Sequence, residues 1–493
     1  MKLELLGHDE RYTVEQGLLS LFPGEKPVYA PIAPDDDNWA RLSLEEDDDA
    51  CHVRAQLRRE GHTAERQVDA PLSGTDFDRE GQRRHALGRA FFLAARDLTG
   101  VTPPWGMLTG VRPDKLVTQA LRRGEDPSSA RALLEREYEV SPDRAALALE
   151  TGTAALRAQE RLGPRDIAVY VGIPFCPTRC AYCSFVSQSV ERSFSQVEPY
   201  VDALAAELRA GGAMARERGL VPRAFYMGGG TPTTLTPDQL DRVLSAWEAS
   251  FDLGRCEEIT VEAGRPDTIT AEKLAVLKRH GVTRLSVNPQ SMEDRVLRAI
   301  GRCHTAEDIV RAMDLTARYA FPHVNMDLIA GLPEDTAEGF CRSLDRCLAF
   351  GTDNVTVHTL ALKKGSRILT EGLAIPDGEA VSRMLDYAAP ALRRAGLAPY
   401  YLYRQKYMSG SFENIGWCRP GGECWYNVYI MSELCSILSF GAGGSTKAVD
   451  LAAGRIQRLF NPKYPKEYTE RPEKWQANQV AFAAFYPDAK GAT

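Results

Sequence analysis

Residues 172–185 read GIPFCPTRCAYCSF, and this stretch decides how the rest of the chain is interpreted. It places Cys176, Cys180 and Cys183 in a Cys-x3-Cys-x2-Cys pattern behind an apolar, strand-like run. A structural zinc site uses four ligands, commonly in paired CxxC or HxxxH knuckles, whereas this stretch offers three. Iron–sulfur clusters normally take four cysteine thiolates, so three would leave one iron open to a small molecule. The spacing therefore favours a cluster with an open iron over zinc.

Apolar, β-branched runs alternate with amphipathic helical segments from residue 166 onward. Six such units predict an α/β fold with a parallel sheet and right-handed crossovers, and their spacing fits a partial or full βα barrel. The candidate strands are DIAVYVGIP (166–174), RAFYMGGG (223–230), EITVEAG (258–264), RLSVNPQ (284–290), HVNMDLIAG (323–331) and NVTVHTLAL (354–362).

Chemically informative residues follow the ends of these strands. Ligands of parallel βα folds bind at the C-terminal edge of the sheet, so we expect this set to form one site. In chain order the set comprises the three cysteines, GGGTP (228–232), Glu262, Gln290, Asp327 and His358.

The segment CPTRCAYC (176–183) resembles the signature of the radical S-adenosylmethionine superfamily, with Tyr182 as the aromatic residue before the last cysteine. The resemblance implies a 4Fe-4S cluster on Cys176, Cys180 and Cys183, and an open iron that binds S-adenosylmethionine. It also implies a partial (β/α)6 barrel and cleavage of that cofactor to methionine and a 5'-deoxyadenosyl radical.

The same resemblance assigns further residues to the cofactor. Each has an ordinary alternative, because glycines also form tight turns, a glutamate also caps helices and an isolated glutamine is usually a solvent residue. The ordered occurrence of the whole set favours the cofactor role. The implied cofactor-binding residues are Tyr170, Tyr182, Gly228, Gly229, Gly230, Thr231, Glu262, Gln290, Arg302 and Asp327.

Four motifs, YVGIPFC (170–176), GGGTPTTL (228–235), GRCH (301–304) and DLIAGLP (327–333), are similar to those of the oxygen-independent coproporphyrinogen III oxidases and the heme chaperones related to them. Residues 108–116 and 400–417 resemble a long-chain branch with an N-terminal extension. The chain departs from most of that group at Gly172, where histidine is usual, and at EAGRP (262–266), where EANP is usual.

This resemblance implies oxidative decarboxylation of two propionates of coproporphyrinogen III to give protoporphyrinogen IX. A heme-delivering chaperone and an enzyme acting on another tetrapyrrole are the alternatives. The implied partners are a tetrapyrrole with propionate groups and an electron donor such as flavodoxin or ferredoxin.

A substrate with several carboxylates needs cationic anchors, and arginine binds carboxylates through a bidentate fork. The net charge of −7 disfavours nucleic acid as a partner. A substrate with several negative charges would need a local basic pocket in a chain of this net charge. The C-terminal third contains several cations, most of which are expected to be ordinary surface charges. The candidate substrate residues are Arg404, Lys406 and Arg419.

The length of 493 residues predicts two or three domains. We expect an N-terminal α+β domain of unknown role over residues 1–160, the radical SAM core over 165–375 and a substrate-covering extension over 376–493. The first residues, MKLELLGHDERY, lack the pattern of a secretion signal, and no apolar run is long enough to cross a membrane. A cytoplasmic location without membrane contact is therefore expected.

Overall fold

The computed structural model describes residues 1–22, 24–183, 188–363, 365–405, 412–451 and 453–486. Contacts divide the chain into two compact units, Met1–Leu149 and Glu150–Thr493. Among the described residues, no helix has the length and apolar character that crossing a membrane requires.

The first unit contains a five-stranded sheet and four complete helices. Its elements are β1 (Lys2–Leu6), α1 (Arg11–Leu21), β2 (Val28–Tyr29), β3 (Asn38–Glu46), β4 (Ala50–Arg59), β5 (His62–Pro71), α2 (Asp76–Thr99), α3 (Asp114–Arg122) and α4 (Pro127–Glu137), and α5 (Pro142–Glu160) continues into the second unit. The strand order is β2-β1-β3-β4-β5, in which β1 is parallel to both neighbours and the β3-β4-β5 pairs are antiparallel.

Helix α2 is capped at both ends by residues suited to those positions. Thr75 and Asp78 form a capping box at its start, and Gly100 ends it in the left-handed conformation at φ 69°. The apolar side of the helix buries Phe91 and Phe92 in the core of the first unit. The described part of this unit is thus a mixed sheet with helices packed against it.

The second unit carries the cysteine motif. Its elements are β6 (Asp166–Ile173), β7 (Phe175–Cys176), β8 (Gln188–Ser189), α6 (Val190–Glu217), β9 (Val221–Gly229), α7 (Pro237–Ser250), β10 (Glu258–Glu262), α8 (Ala271–Arg279), β11 (Arg284–Ser286), α9 (Asp294–Ala299), α10 (Ala306–Ala317), β12 (His323–Ala330), α11 (Ala337–Ala349), β13 (Asn354–Thr359), α12 (Arg367–Glu371), α13 (Gly378–Arg394), β14 (Ala398–Tyr403), β15 (Asn414–Cys418), α14 (Trp425–Ser432), β16 (Ser436–Phe440), β17 (Ser445–Asp450), β18 (Arg455–Phe460), α15 (Pro465–Glu470) and α16 (Pro472–Phe485).

The six predicted strands form the centre of one sheet, in the parallel order β6-β9-β10-β11-β12-β13. Their side chains are almost entirely buried, as expected of parallel strands covered by crossover helices. The prediction of successive βα units in a mixed α/β fold is confirmed. Among the described strands the sheet is open, with β14 and β18 at its edges.

The C-terminal residues extend this sheet on both sides. Strand β16 pairs in parallel with β6, whereas β15 pairs antiparallel with β13. Cys418, the last residue of β15, lies opposite Asn354, the first residue of β13. The chain after Cys418 therefore leaves the sheet at the N-terminal ends of the parallel strands. The assignment of 376–493 as a separate substrate-covering domain stays a prediction.

A buried carboxylate joins α6 to the end of the chain. Glu207 is 1% exposed and accepts hydrogen bonds from Gly441 N at 2.7 Å, Asn461 Nδ2 at 2.8 Å and Tyr468 OH at 2.5 Å. Burial raises the pKa of Glu207 to about 7, although these donors oppose the rise. Glu207 thereby ties three separate C-terminal segments to the helix that follows the cysteine motif.

Candidate functional site

The three predicted cluster cysteines lie on the cysteine loop (residues 174–183), which follows β6 at the C-terminal edge of the parallel strands. Cys183 N donates to Cys180 O at 3.1 Å and closes a turn within the loop. Ala181 N donates to Ile300 O at 2.9 Å, which pins the loop to the segment after α9. The loop is thus held by backbone hydrogen bonds at the edge where ligands of parallel folds bind.

Within the part of the chain that the structure describes, no three His, Cys, Asp or Glu side chains converge on a point where one metal ion could sit. A cubane cluster binds each cysteine through a different iron, so its ligands need not converge in that way. Three thiols on one short loop are one fewer than a structural zinc site uses, and they suit a cluster with one open iron.

The glycine motif after β9 packs directly against the cysteine loop. Gly230 N donates to Ile173 O at 2.7 Å, and a Cβ at Gly230 would lie 2.5 Å from Phe175 O. Gly229 has φ +105°, a conformation that side chains rarely allow. The Thr231 hydroxyl donates to Cys176 Sγ at 3.5 Å. The absence of side chains thus lets two motifs meet that are distant in sequence.

Two buried arginines surround Cys180. Arg265 Nη1 lies 3.9 Å from Cys180 Sγ and donates to Thr178 O at 3.2 Å. Burial alone would raise the pKa of the Cys180 thiol, but the positive charges of Arg302 and Arg265 outweigh burial, so the pKa lies below its ordinary value. The electrostatics of the loop therefore favour the thiolate, which is the form that binds iron.

Arg302 connects the cysteine loop to two strand ends. Its Nη1 donates to Asn288 O at 2.6 Å and Gly264 O at 3.0 Å, and its Nη2 donates to Tyr182 OH at 3.1 Å. Its Nε is buried, and no described residue accepts a hydrogen bond from it. Burial raises the pKa of Tyr182, so this phenol stays neutral and serves as an acceptor for the guanidinium.

Glu262 ends β10 beside a stack of tyrosines. The Tyr226 hydroxyl donates to Glu262 Oε1 at 2.5 Å, and Tyr226 stacks on Tyr426 and on Tyr170 with centroid distances of 4.6 and 6.3 Å. Burial raises the pKa of Glu262 to about 7, and the nearby charge of Asp327 adds to the rise. Gly228 lies next to the Glu262 side chain, because a Cβ at Gly228 would lie 2.9 Å from the Glu262 carboxyl carbon.

Gln290 has the features of a residue arranged for a ligand. It holds a left-handed backbone conformation at φ 67°, which is uncommon for a residue with a side chain. Its N donates to Asp327 O at 2.9 Å, while its side-chain Oε1 is buried without a hydrogen-bond partner among the residues that the structure describes. A buried acceptor without a partner is costly, and a bound hydroxyl or amine would satisfy it.

The surroundings of Asp327, at the same edge, favour its ionised form. It accepts from Asn325 Nδ2 at 2.8 Å, and its Oδ2 lies 3.7 Å from His358 Nε2. Burial alone would raise the pKa of Asp327, but His358 and Asn325 lower it overall. His358 Nδ1 lies 3.4 Å from Tyr403 OH, so the network extends from β12 to β14.

The candidate substrate cations have different locations. Arg404 follows β14 at the same edge as His358, and burial lowers the pKa of its guanidinium to about 10. Arg419 follows Cys418 at the opposite ends of the strands, where its N donates to Asp353 O at 2.8 Å, so the structure does not bring it together with Arg404. Lys406 lies outside the described residues.

Sequence reasoning did not single out Arg265. A charged residue in a short loop is normally a solvated one, yet Arg265 is 2% exposed and contacts the cysteine loop. The available signal was the departure of EAGRP (262–266) from the usual family motif, which is the place where this arginine occurs.

Comparison with known proteins agrees with the location of these motifs. The Radical SAM superfamily model matches residues 170–347. The chain is 34% identical over 487 residues to the oxygen-independent coproporphyrinogen-III oxidase-like protein HemZ of Bacillus subtilis (strain 168), covering 98% of this chain and 97% of that protein. It is 31% identical over 315 residues to the heme chaperone HemW of Mycobacterium tuberculosis (strain CDC 1551 / Oshkosh), covering 62% of this chain and 74% of that protein.

A solved structure is similar in fold. Coproporphyrinogen III oxidase HemN from Escherichia coli, described as a radical SAM enzyme, aligns with a TM-score of 0.53 and 23% sequence identity. The alignment covers 65% of this chain and 72% of that one, and it shows a shared fold.

Proposed function

Because the chain belongs to the radical SAM superfamily and, within it, to the oxygen-independent coproporphyrinogen-III oxidase-like family, we propose that it is an enzyme that decarboxylates two propionates of coproporphyrinogen III. The product would be protoporphyrinogen IX. Each propionate would lose one hydrogen atom from its β-carbon, carbon dioxide and one electron, which passes to a separate electron acceptor.

The cofactors of this superfamily are a 4Fe-4S cluster and S-adenosylmethionine. When bound, they supply a 5'-deoxyadenosyl radical that removes hydrogen from an unactivated C–H bond, which no side-chain base does at useful rates. In this proposal Cys176, Cys180 and Cys183 hold the cluster. This use of the cysteine loop agrees with the lowered pKa of Cys180.

The residues at the strand ends bind and orient S-adenosylmethionine in this proposal. Asp327 supplies a carboxylate for ribose hydroxyls, and the buried Gln290 Oε1 supplies an acceptor that is not used by any described residue. Glu262 and the glycine motif would contact the methionine part, with backbone carbonyls of Gly228–Gly230 accepting from its amino group. Arg302 would face the cofactor carboxylate from the segment that also holds Tyr182.

The single observation that carries the proposal is the buried Gln290 amide oxygen, which has no hydrogen-bond partner among the described residues and belongs to a segment whose backbone N bonds to Asp327 O. A buried amide oxygen of this kind is costly unless a polar ligand satisfies it. For the substrate, Arg404 is the supporting residue, because a buried guanidinium at this edge is suited to bind a propionate.

The similarity to a heme chaperone supports a second candidate, in which the chain binds and delivers heme without transforming it. That similarity covers 62% of this chain, whereas the similarity to the oxidase-like relative covers 98%. The enzyme is therefore the function that we propose first.

Anaerobic incubation separates the two candidates. Reduced, cluster-loaded protein would receive S-adenosylmethionine with coproporphyrinogen III or with heme, and products would be identified by mass spectrometry. The enzyme predicts a tetrapyrrole lighter by two carboxyl groups and equivalent formation of 5'-deoxyadenosine. Unchanged coproporphyrinogen III together with tight binding of heme would support the chaperone instead.

A further inference from the structure

Arg265 is a buried cation whose three guanidinium nitrogens all contact described atoms at or near the cysteine loop. Its Nη1 donates to Thr178 O at 3.2 Å, its Nη2 donates to Thr178 Oγ1 at 3.0 Å and its Nε lies 3.3 Å from Asp267 Oδ1. The remaining contact of Nη1 is Cys180 Sγ at 3.9 Å. All three nitrogens therefore point at this chain's own atoms, and Arg265 acts on the loop and its sulfur instead of on the substrate.

Asp267 fixes the orientation of this guanidinium. Burial alone would raise the pKa of Asp267, but His304 and Arg265 lower it to about 2, so the carboxylate stays charged. His304 Nδ1 lies 3.4 Å from Asp267 Oδ1, the same oxygen that Arg265 Nε contacts. The arrangement is a buried cation held between an anion and the sulfur of a predicted cluster ligand.

Reduction of an iron–sulfur cluster adds one electron and therefore one unit of negative charge. A fixed positive charge in a poorly screened site stabilises the more negative state, and a hydrogen bond to a cysteine sulfur acts in the same direction. The proximity of the Arg265 guanidinium to Cys180 Sγ thus has a defined electrochemical consequence.

We propose that Arg265 is a positioning residue of the cluster. It holds the cysteine loop through Thr178, and its positive charge beside the Cys180 sulfur raises the reduction potential of the cluster. The inference rests on the proposed cluster. It gives a function to the arginine at which this chain departs from the usual family motif.

Anaerobic potentiometric titration of the cluster-loaded protein, followed by electron paramagnetic resonance of the reduced cluster, measures this effect directly. Arg265→Gln removes the charge, and we expect a roughly tenfold smaller equilibrium constant for reduction, about 59 mV more negative for one electron. Arg265→Lys keeps the charge and should fall between Arg265→Gln and the wild type.

Asp267→Asn should shift the reduction potential in the direction opposite to that expected for Arg265→Gln. It removes the anion that offsets Arg265, so the potential should become more positive than that of the wild type. If Arg265→Gln assembles no cluster, this variant alone decides, and an unchanged potential in it overturns the proposal. An unchanged potential in Arg265→Gln with full iron content overturns it as well.

The matched control is Arg284→Gln. Arg284 is also 2% exposed, but it lies at the start of β11, where it donates to the Gly422 and Glu423 carbonyls at 2.9 Å. Its loss should reduce folding stability and leave the potential unchanged, so a shift equal to that of Arg265→Gln would overturn the proposal. If the wild-type protein binds no cluster, the proposed cluster site is wrong. That result is distinguishable from a shifted or unshifted potential in a cluster-loaded variant.

Discussion

The hydroxyl of Thr231 donates a hydrogen bond to Cys176 Sγ across 3.5 Å. This contact joins the glycine motif after β9 to the cysteine loop after β6, although 55 residues separate them in the chain. The two motifs meet because β6 and β9 are adjacent parallel strands that end at the same edge. We therefore expect changes in the glycine motif and changes in the cysteine loop to affect the same site.

Replacing Cys176, Cys180 and Cys183 together by alanine should abolish cluster binding, because thiolates are the iron ligands. Iron content and visible absorption after anaerobic reconstitution measure this. Cys347→Ala, which changes a buried cysteine on α11, should keep full iron content. A triple variant with the iron content of the wild type would remove the cysteine loop from the site.

Replacing Gly230 by alanine should disrupt the junction of the two motifs, since the new Cβ would lie 2.5 Å from Phe175 O. The cysteine loop would have to shift, so we expect lower cluster occupancy and weaker binding of S-adenosylmethionine. Gly163→Ala is the control, because its Cβ would meet no atom closer than 3.7 Å. Equal cluster occupancy and cofactor affinity in both variants would show that the close approach has no role.

Asp327→Asn should weaken binding of S-adenosylmethionine, because the amide loses the charge that favours bonds with ribose hydroxyls. The expected cost is about 1.5–3 kcal/mol, or about one to two powers of ten in affinity. Titration calorimetry on cluster-loaded protein measures it, with Asp314→Asn on the exposed side of α10 as the control. Wild-type affinity in Asp327→Asn would exclude this residue from the cofactor site.

Arg404 and Arg419 form a matched pair at opposite ends of the sheet. Arg404→Ala should weaken binding of coproporphyrinogen III by about one to two powers of ten, because a carboxylate loses its charged partner. Arg419→Ala should leave that affinity unchanged. Iron content and cofactor affinity, measured in the same samples, establish that Arg404→Ala is folded. Equal substrate affinities in the two variants would contradict a substrate site at the β14 end.

The stability of the second unit should depend on the protonation of Glu207. Its folded pKa of about 7 lies above the ordinary value, so the folded state binds the proton more readily than the unfolded state between about pH 4.5 and about pH 7. The free energy of unfolding should therefore fall as pH rises through this range. Relative to Glu207→Gln, the wild type should lose about 2–3 kcal/mol between about pH 5 and about pH 8.

Urea unfolding of the wild type and Glu207→Gln at the two pH values measures this difference. Glu217→Gln, at the exposed end of the same helix, is the control and should follow the wild type. Parallel pH dependences of the wild type and Glu207→Gln would show that Glu207 does not contribute.

The central strands were predictable because buried parallel strands are continuous apolar runs, of which DIAVYVGIP (166–174) is an example. The pairing of β16 with β6 was not, since it joins segments more than 260 residues apart and no local pattern encodes it. Glu207 was also missed, because a glutamate on an amphipathic helix normally faces solvent and its three donors come from distant residues.

The site shows the same division. The cysteine motif could be recognised from its spacing and the cofactor residues from the family resemblance, whereas Arg265 and the position of Arg419 depend on tertiary contacts. Arg419 lies at the opposite ends of the strands from Arg404 because β15 runs antiparallel to β13, a pairing that the sequence did not reveal. Gln290 could be named from the sequence as a cofactor-binding residue. That its side-chain oxygen is buried without a partner among the described residues could be seen only in the fold.

Transfer of hydrogen from the substrate tests the central claim most directly. Coproporphyrinogen III carrying deuterium on the β-carbons of its propionates would be incubated anaerobically with reduced protein and S-adenosylmethionine, and 5'-deoxyadenosine would be analysed by mass spectrometry. The proposed enzyme predicts one deuterium in 5'-deoxyadenosine for each propionate lost as carbon dioxide. Formation of 5'-deoxyadenosine without deuterium, while coproporphyrinogen III is recovered unchanged, would contradict it.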